Sequence, residues 1–178
     1  MKRDPIRCLC PAGVAAALLA VVPAARPDPP AAEGPGSRLD GAFRTCVSLA
    51  DDPLAGDLMR TIFDRQARDA FESAHPDTVR SLSIERGKAY STATATLKGG
   101  VSVAGVPVRD IYASTCELEC RLAVWGLEFG RLTPAQQEAL RSWAADAPAT
   151  HTEAHGDIEV QLDTGPDGET LLVCDVSG

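Results

Sequence analysis

Tyr90-Ser-Thr-Ala-Thr-Ala-Thr-Leu97 alternates with a period of two: Tyr90, Thr92, Thr94 and Thr96 fall on one face, Ala93, Ala95 and Leu97 on the other. Successive side chains of a strand point to opposite sides, so this stretch predicts a strand with two chemically different faces. Its small side chains predict that it lies flat against something bulky. The same period starts upstream at Val79, where Leu82 and Ile84 sit between polar neighbours.

Working outward, Lys98-Gly99-Gly100 turns the chain. Val101–Val103, Ala104-Gly105 and Val106–Val108 then read as a hairpin or bulged strand that runs on through Ile111 and Tyr112. Pro107 has no N–H to donate and belongs at an edge or a bulge. Leu122–Phe129 is the most apolar strand candidate, and its apolar set changes parity near Trp125-Gly126, which a bulge or burial on both faces explains. Ile158, Val160 and Leu162 on one side of Gly165-Pro166-Asp167-Gly168, and Leu171–Val176 on the other, make a final hairpin.

Helical periodicity occupies the remainder. Phe43, Cys46 and Leu49 suit a short first helix. Asp52-Pro53 starts a second, with Asp52 as N-cap, that presents Leu54, Leu58, Met59, Ile62, Phe63 and Ala67 on one face and stops at His75-Pro76. Thr133-Pro134 opens a third, with Gln136 placed for a capping box and Leu140, Trp143 and Ala144 as its buried stripe. The order of elements predicts an α+β fold: an antiparallel sheet of about five to six strands, with the N-terminal helices and one further helix packed on one face, braced by disulfides. Residues 38–178 are expected to form this single domain.

Residues 1–24 read as a signal peptide. Lys2, Arg3 and Arg7 precede the apolar run Gly13–Val22, and Val22-Pro23-Ala24 suits cleavage after Ala24. Ten apolar residues span only about 15 Å as a helix, half of a bilayer core, so no integral membrane association is expected after cleavage. Residues 25–37, rich in Pro, Ala and Gly, read as a flexible leader. The expected location is periplasmic or secreted, and the total absence of Asn excludes N-glycosylation.

Cys8 and Cys10 leave with the signal, so Cys46, Cys116, Cys120 and Cys174 are expected to form cystines. If Cys116 and Cys120 share one strand they stand too far apart to bond, an objection that lapses if the segment turns back. Cys120 opens the apolar run that ends at Phe129 and Cys174 lies within Leu171–Val176, so both read as strand-borne, and the pairing expected is Cys120–Cys174 with Cys46–Cys116.

The chain carries 17 Lys and Arg against 25 Asp and Glu, a formal charge of −8, and losing residues 1–24 removes three bases and one acid. That balance argues against nucleic acid as a partner. The eight aromatic residues argue against a stacking platform for bases or sugars. His151 and His155 have the spacing of a metal pair on a helix, but lie between Pro148 and Gly156 where a loop is expected. Asp163–Glu169 resembles the start of a calcium loop, yet two liganding positions hold Gly165 and Cys174. No cofactor is expected, and no spacing assembles a catalytic set. The function expected is a small exported binding protein of inhibitor or immunity type acting on a basic envelope enzyme. Its candidate contacts are Asp110, Glu117 and Glu119, favoured over the hairpin acids Asp163, Asp167 and Glu169. An envelope accessory protein is one alternative. The other is a small hydrolase using a metal at His151 and His155, or Glu117 and Glu119 as an acid/base pair.

Overall fold

The computed structural model describes residues 35–116, 123–148, 150–152, 156–165 and 167–176. The segment read as a signal peptide lies outside them, as do Glu117, Glu119, Cys120 and His155.

Helix α1 (Pro35–Thr45) ends where Cys46 takes a positive φ of 57°, and a 3-10 turn (Val47–Ala50) follows. Helix α2 (Pro53–Phe63) starts as its sequence requires: the Asp52 carboxylate accepts from the N–H groups of Leu54 and Ala55, both at 2.9 Å, and Pro53 takes the first position. The single helix expected up to His75 is broken at Asp64, whose backbone is extended and whose carboxylate caps α3 (Arg65–Ala74) through the Gln66 N–H at 2.7 Å. The break re-aims the second half. Phe63, expected on the apolar face, ends α2 and is 71% exposed, while Phe71 in α3 is buried in the core.

Strands β1 (Val79–Arg86) and β2 (Tyr90–Leu97) pair antiparallel. A small hairpin, β3 (Ser102–Val103) with β4 (Val106–Pro107), turns through Ala104 and Gly105, both at positive φ as a tight hairpin turn demands. Its four valines at 101, 103, 106 and 108 are buried. β5 (Asp110–Cys116) and β6 (Ala123–Glu128) follow, then α4 (Pro134–Ala145), opened by a complete Thr133/Gln136 capping box. β7 (Thr150–Thr152) pairs with β8 (Gly156–Ile158), so His151 lies on a strand and not on a helix. β9 (Val160–Thr164) and β10 (Thr170–Asp175) close the chain.

The main sheet has six antiparallel strands in the order β1-β2-β5-β6-β10-β9. The chain passes beyond the sheet to lay β9 at the edge and returns with β10 between β9 and β6. Alternation sorts the side chains cleanly. Ala93, Ala95, Ile111, Ala113, Leu127, Leu172 and Cys174 are wholly buried, with Trp125 behind them, and all face the helices. The alanines of β2 leave room for α2 to lie close, as the small-residue pattern predicts. Trp125 donates its indole N–H to the Ala55 carbonyl at 3.1 Å, fixing α2 to β6. The parity change near Trp125-Gly126 needs no bulge: β5, β6 and β10 pair in unbroken register, and Gly126 is buried on the far side.

One disulfide ties α1 to the sheet. Cys46 and Cys174 bond across a sequence separation of 128 residues, with Cα atoms 5.5 Å apart. This overturns both expected pairings. Cys174 faces the helices, where the end of α1 meets it, whereas Cys116 has the parity of Tyr112 and points to the opposite side of β5. Cys116 is itself disulfide-bonded. Among the described residues no helix is long and apolar enough to cross a membrane.

Candidate functional site

The second face of the sheet carries no described helix. The hydrophobic core and the side chains packed against it come from the helix-facing parity alone; Val124, Leu171 and Val173, of the opposite parity, are only half-buried and take no part in it.

Register turns this face into three cross-sheet rows. One row runs Ser81, Thr96, Asp110, Glu128, Leu171, Asp163. The middle row runs Ser83, Thr94, Tyr112, Gly126, Val173, Gln161. The third runs Glu85, Thr92, Ser114, Val124, Asp175. The β1–β2 side is therefore a field of hydroxyls, and Thr92 and Ser114 hydrogen-bond across strands at 2.9 Å. The β6–β10 side is aliphatic. Carboxylates stand in the two outer rows.

Asp110 and Glu128 are directly opposed, which two carboxylates tolerate only with a shared cation. Arg109 supplies it: its Nε lies 2.7 Å from Asp110 and its guanidinium also contacts Glu128. Asp110 further accepts from the Thr96 hydroxyl at 2.7 Å and is 7% exposed. Its charge is thus engaged within the sheet. Asp163, by contrast, is exposed.

Tyr112 holds the middle of the face. A Cβ built on Gly126 would stand 2.1 Å from Tyr112 Cζ and 2.3 Å from its hydroxyl, so the ring lies directly over the glycine. Only glycine leaves this room. Burial raises the Tyr112 pKa above 10, and the Asp163 carboxylate adds to the effect.

The sequence-predicted acids meet this arrangement unevenly. Asp110 and Asp163, taken from two competing segments, share one row. Glu117 and Glu119 lie outside the described residues. Asp167 is exposed in the turn, and Glu169 folds back over Gly165, one carboxylate oxygen buried without a partner. Tyr112, Glu128 and Arg109 were missed as site residues. The signal for Tyr112 was available as an aromatic and a glycine in neighbouring strands, but their register was not.

Two other places have chemistry. A hollow of about 290 Å³ is lined by Ile62, Phe63, Arg86, Ser91, Thr115 and Cys116; the Arg86 guanidinium there donates to the Ile62 carbonyl at 2.8 Å. His75 lies 2.9 Å from Asp57, joining the end of α3 to α2. No group of three or more His, Cys, Asp or Glu among the described residues is placed to hold a metal ion. No family model, curated protein or solved structure matches the chain.

Proposed function

We propose that this is a small exported binding protein of the inhibitor or immunity type, which docks the sheet face opposite the described helices on a basic enzyme of the cell envelope. The observation that carries the reading is the charge of that face. Its strand positions hold the exposed carboxylates Glu85 and Asp163, together with Asp110 and Glu128, which share the one positive charge of Arg109. A flat surface of this kind suits a protein partner better than a small molecule, which needs concave enclosure. Six strands about 4.8 Å apart and some 20 Å long give roughly 500 Å², over half of the ~800 Å² that each partner contributes to a standard interface. The overall acidic balance of the chain adds long-range attraction for a cationic partner.

The test uses the full chain as bait on envelope extract, followed by kinetics with the captured enzyme. Asp163→Lys combined with Glu85→Lys is expected to slow association by about tenfold and to relieve inhibition, since exposed charges act chiefly on encounter. An association rate that is unchanged between about 20 and 300 mM salt overturns the reading, because screening lengths fall severalfold over that range.

A further inference from the structure

We infer that the centre of the sheet face opposite the described helices is a receptor for a cationic side chain, an arginine or lysine that lies on the Tyr112 ring. The inference builds on the reading of this face as protein-binding and names the chemistry of its central contact.

The geometry is specific. Tyr112 sits in the middle row, on the third of six strands, with Thr94 on one side and Gly126 on the other. The absence of a side chain at Gly126 lets the ring settle over the neighbouring strand, where Tyr112 is half-buried and keeps part of its surface exposed. A ring held in this way has little freedom to lose on binding. Tyrosine at the centre of an interface is a residue type that carries a large share of binding energy. The negative π-face attracts a cation, and the exposed Asp163 in the adjoining row adds a carboxylate on the same side. Arg109 is already held by Asp110 and Glu128, so it marks the kind of group this row accepts.

Charge also selects the occupant. A second copy of the chain would set the exposed carboxylates Glu85 and Asp163 against their own kind, and like charges across an interface disfavour association. A cationic segment of another protein meets the opposite situation.

The experiment titrates the full chain with a deca-arginine peptide and follows ring and backbone resonances by NMR, with deca-glutamate as control. Deca-arginine is expected to shift the Tyr112 ring signals together with those of Thr94 and Val173. Tyr112→Leu should weaken binding about threefold or more, while Tyr112→Phe, which keeps the ring, should stay within about twofold of the parent. Shifts confined to the helices or to the 165–168 turn overturn the inference, as does a Tyr112→Leu chain that binds equally well. Self-association through this face at low salt also overturns it. If Tyr112→Leu does not fold, the ring shifts of the parent chain decide. Failure here is separable from failure of the proposed function. A captured basic enzyme indifferent to Tyr112→Leu removes only the central contact. Peptide binding at Tyr112, with an envelope partner that proves insensitive to salt, removes only the inhibitor reading.

Discussion

The two faces of the one sheet are made from alternate residues of the same strands, yet they do different physical work. On the helix side, Leu127, Leu172, Ile111 and Ala113 are wholly buried and form a continuous interior with α1, α2 and α4. On the other side, their immediate sequence neighbours Glu128, Val173, Tyr112 and Ser114 are half-buried; Ser114 hydrogen-bonds Thr92 and Glu128 pairs with Arg109. Stability is therefore concentrated in one parity and surface chemistry in the other. A one-residue slip of register would exchange them completely, so the two are specified together.

The sharpest way to break this comparison is to release the covered face from its tie. The Cys46–Cys174 bond closes most of the domain into one loop. In the chain-entropy treatment, Cys46→Ala with Cys174→Ala lowers the unfolding free energy by about 5 kcal/mol. Urea unfolding measures it. A loss below about 1 kcal/mol means the helices stay on the sheet without the tie, and that burial alone separates the faces.

Next in size is a paired substitution one residue apart. Leu172→Ala leaves a cavity in the covered face and should cost about 3 kcal/mol. Val173→Ala on the open face should cost less than about 1 kcal/mol. Equal losses would mean that the open face is packed against something as firmly as the covered one.

Gly126→Ala tests the open face by itself. The added methyl displaces the Tyr112 ring and should cost about 1–2 kcal/mol. In a Tyr112→Ala background the same change should be nearly neutral, and the double-mutant cycle reads the coupling directly.

The fold was legible because its signals are local. The period-two run Tyr90–Leu97, the Asp52-Pro53 start and the Thr133/Gln136 box each name an element without reference to any other. Cross-strand register is not local, and there the reading stopped. Asp110 looked like a free acid because nothing in the sequence brings Thr96 and Glu128 to it, or shows that its neighbour Arg109 folds back onto it. The expected cystines failed for a related reason. Parity alone separates Cys116 from Cys174, but the placement of α1 against β10 depends on β10 being inserted between β6 and β9. Phe63 was misassigned because a single extended residue, Asp64, divides what periodicity presents as one helix.

The smallest effect expected separates the faces by pH. His75 closes α3 on the covered side, its ring 5.0 Å from Phe71 and its Nε2 2.9 Å from Asp57. Burial lowers its pKa below 6.5; the Asp52 carboxylate opposes the shift and the Arg38 guanidinium adds to it. Unfolded chains therefore take up this proton first, and stability falls as pH drops through 6.5 towards the folded value, with no further change below it. Tyr112 behaves in the opposite sense. Burial and Asp163 raise its pKa above 10, so unfolded chains lose that proton first and stability falls as pH rises past 10. His75→Gln should flatten the acid limb of a stability profile and leave the alkaline limb in place, and Tyr112→Phe should do the reverse. Either variant flattening both limbs would mean that the two groups report one shared event, and that the faces do not fail independently. Separate limbs would mean that acid first loosens the junction of α2 and α3 while the polar rows stay closed, and that alkali first lifts Tyr112 from Gly126 while the helices remain docked.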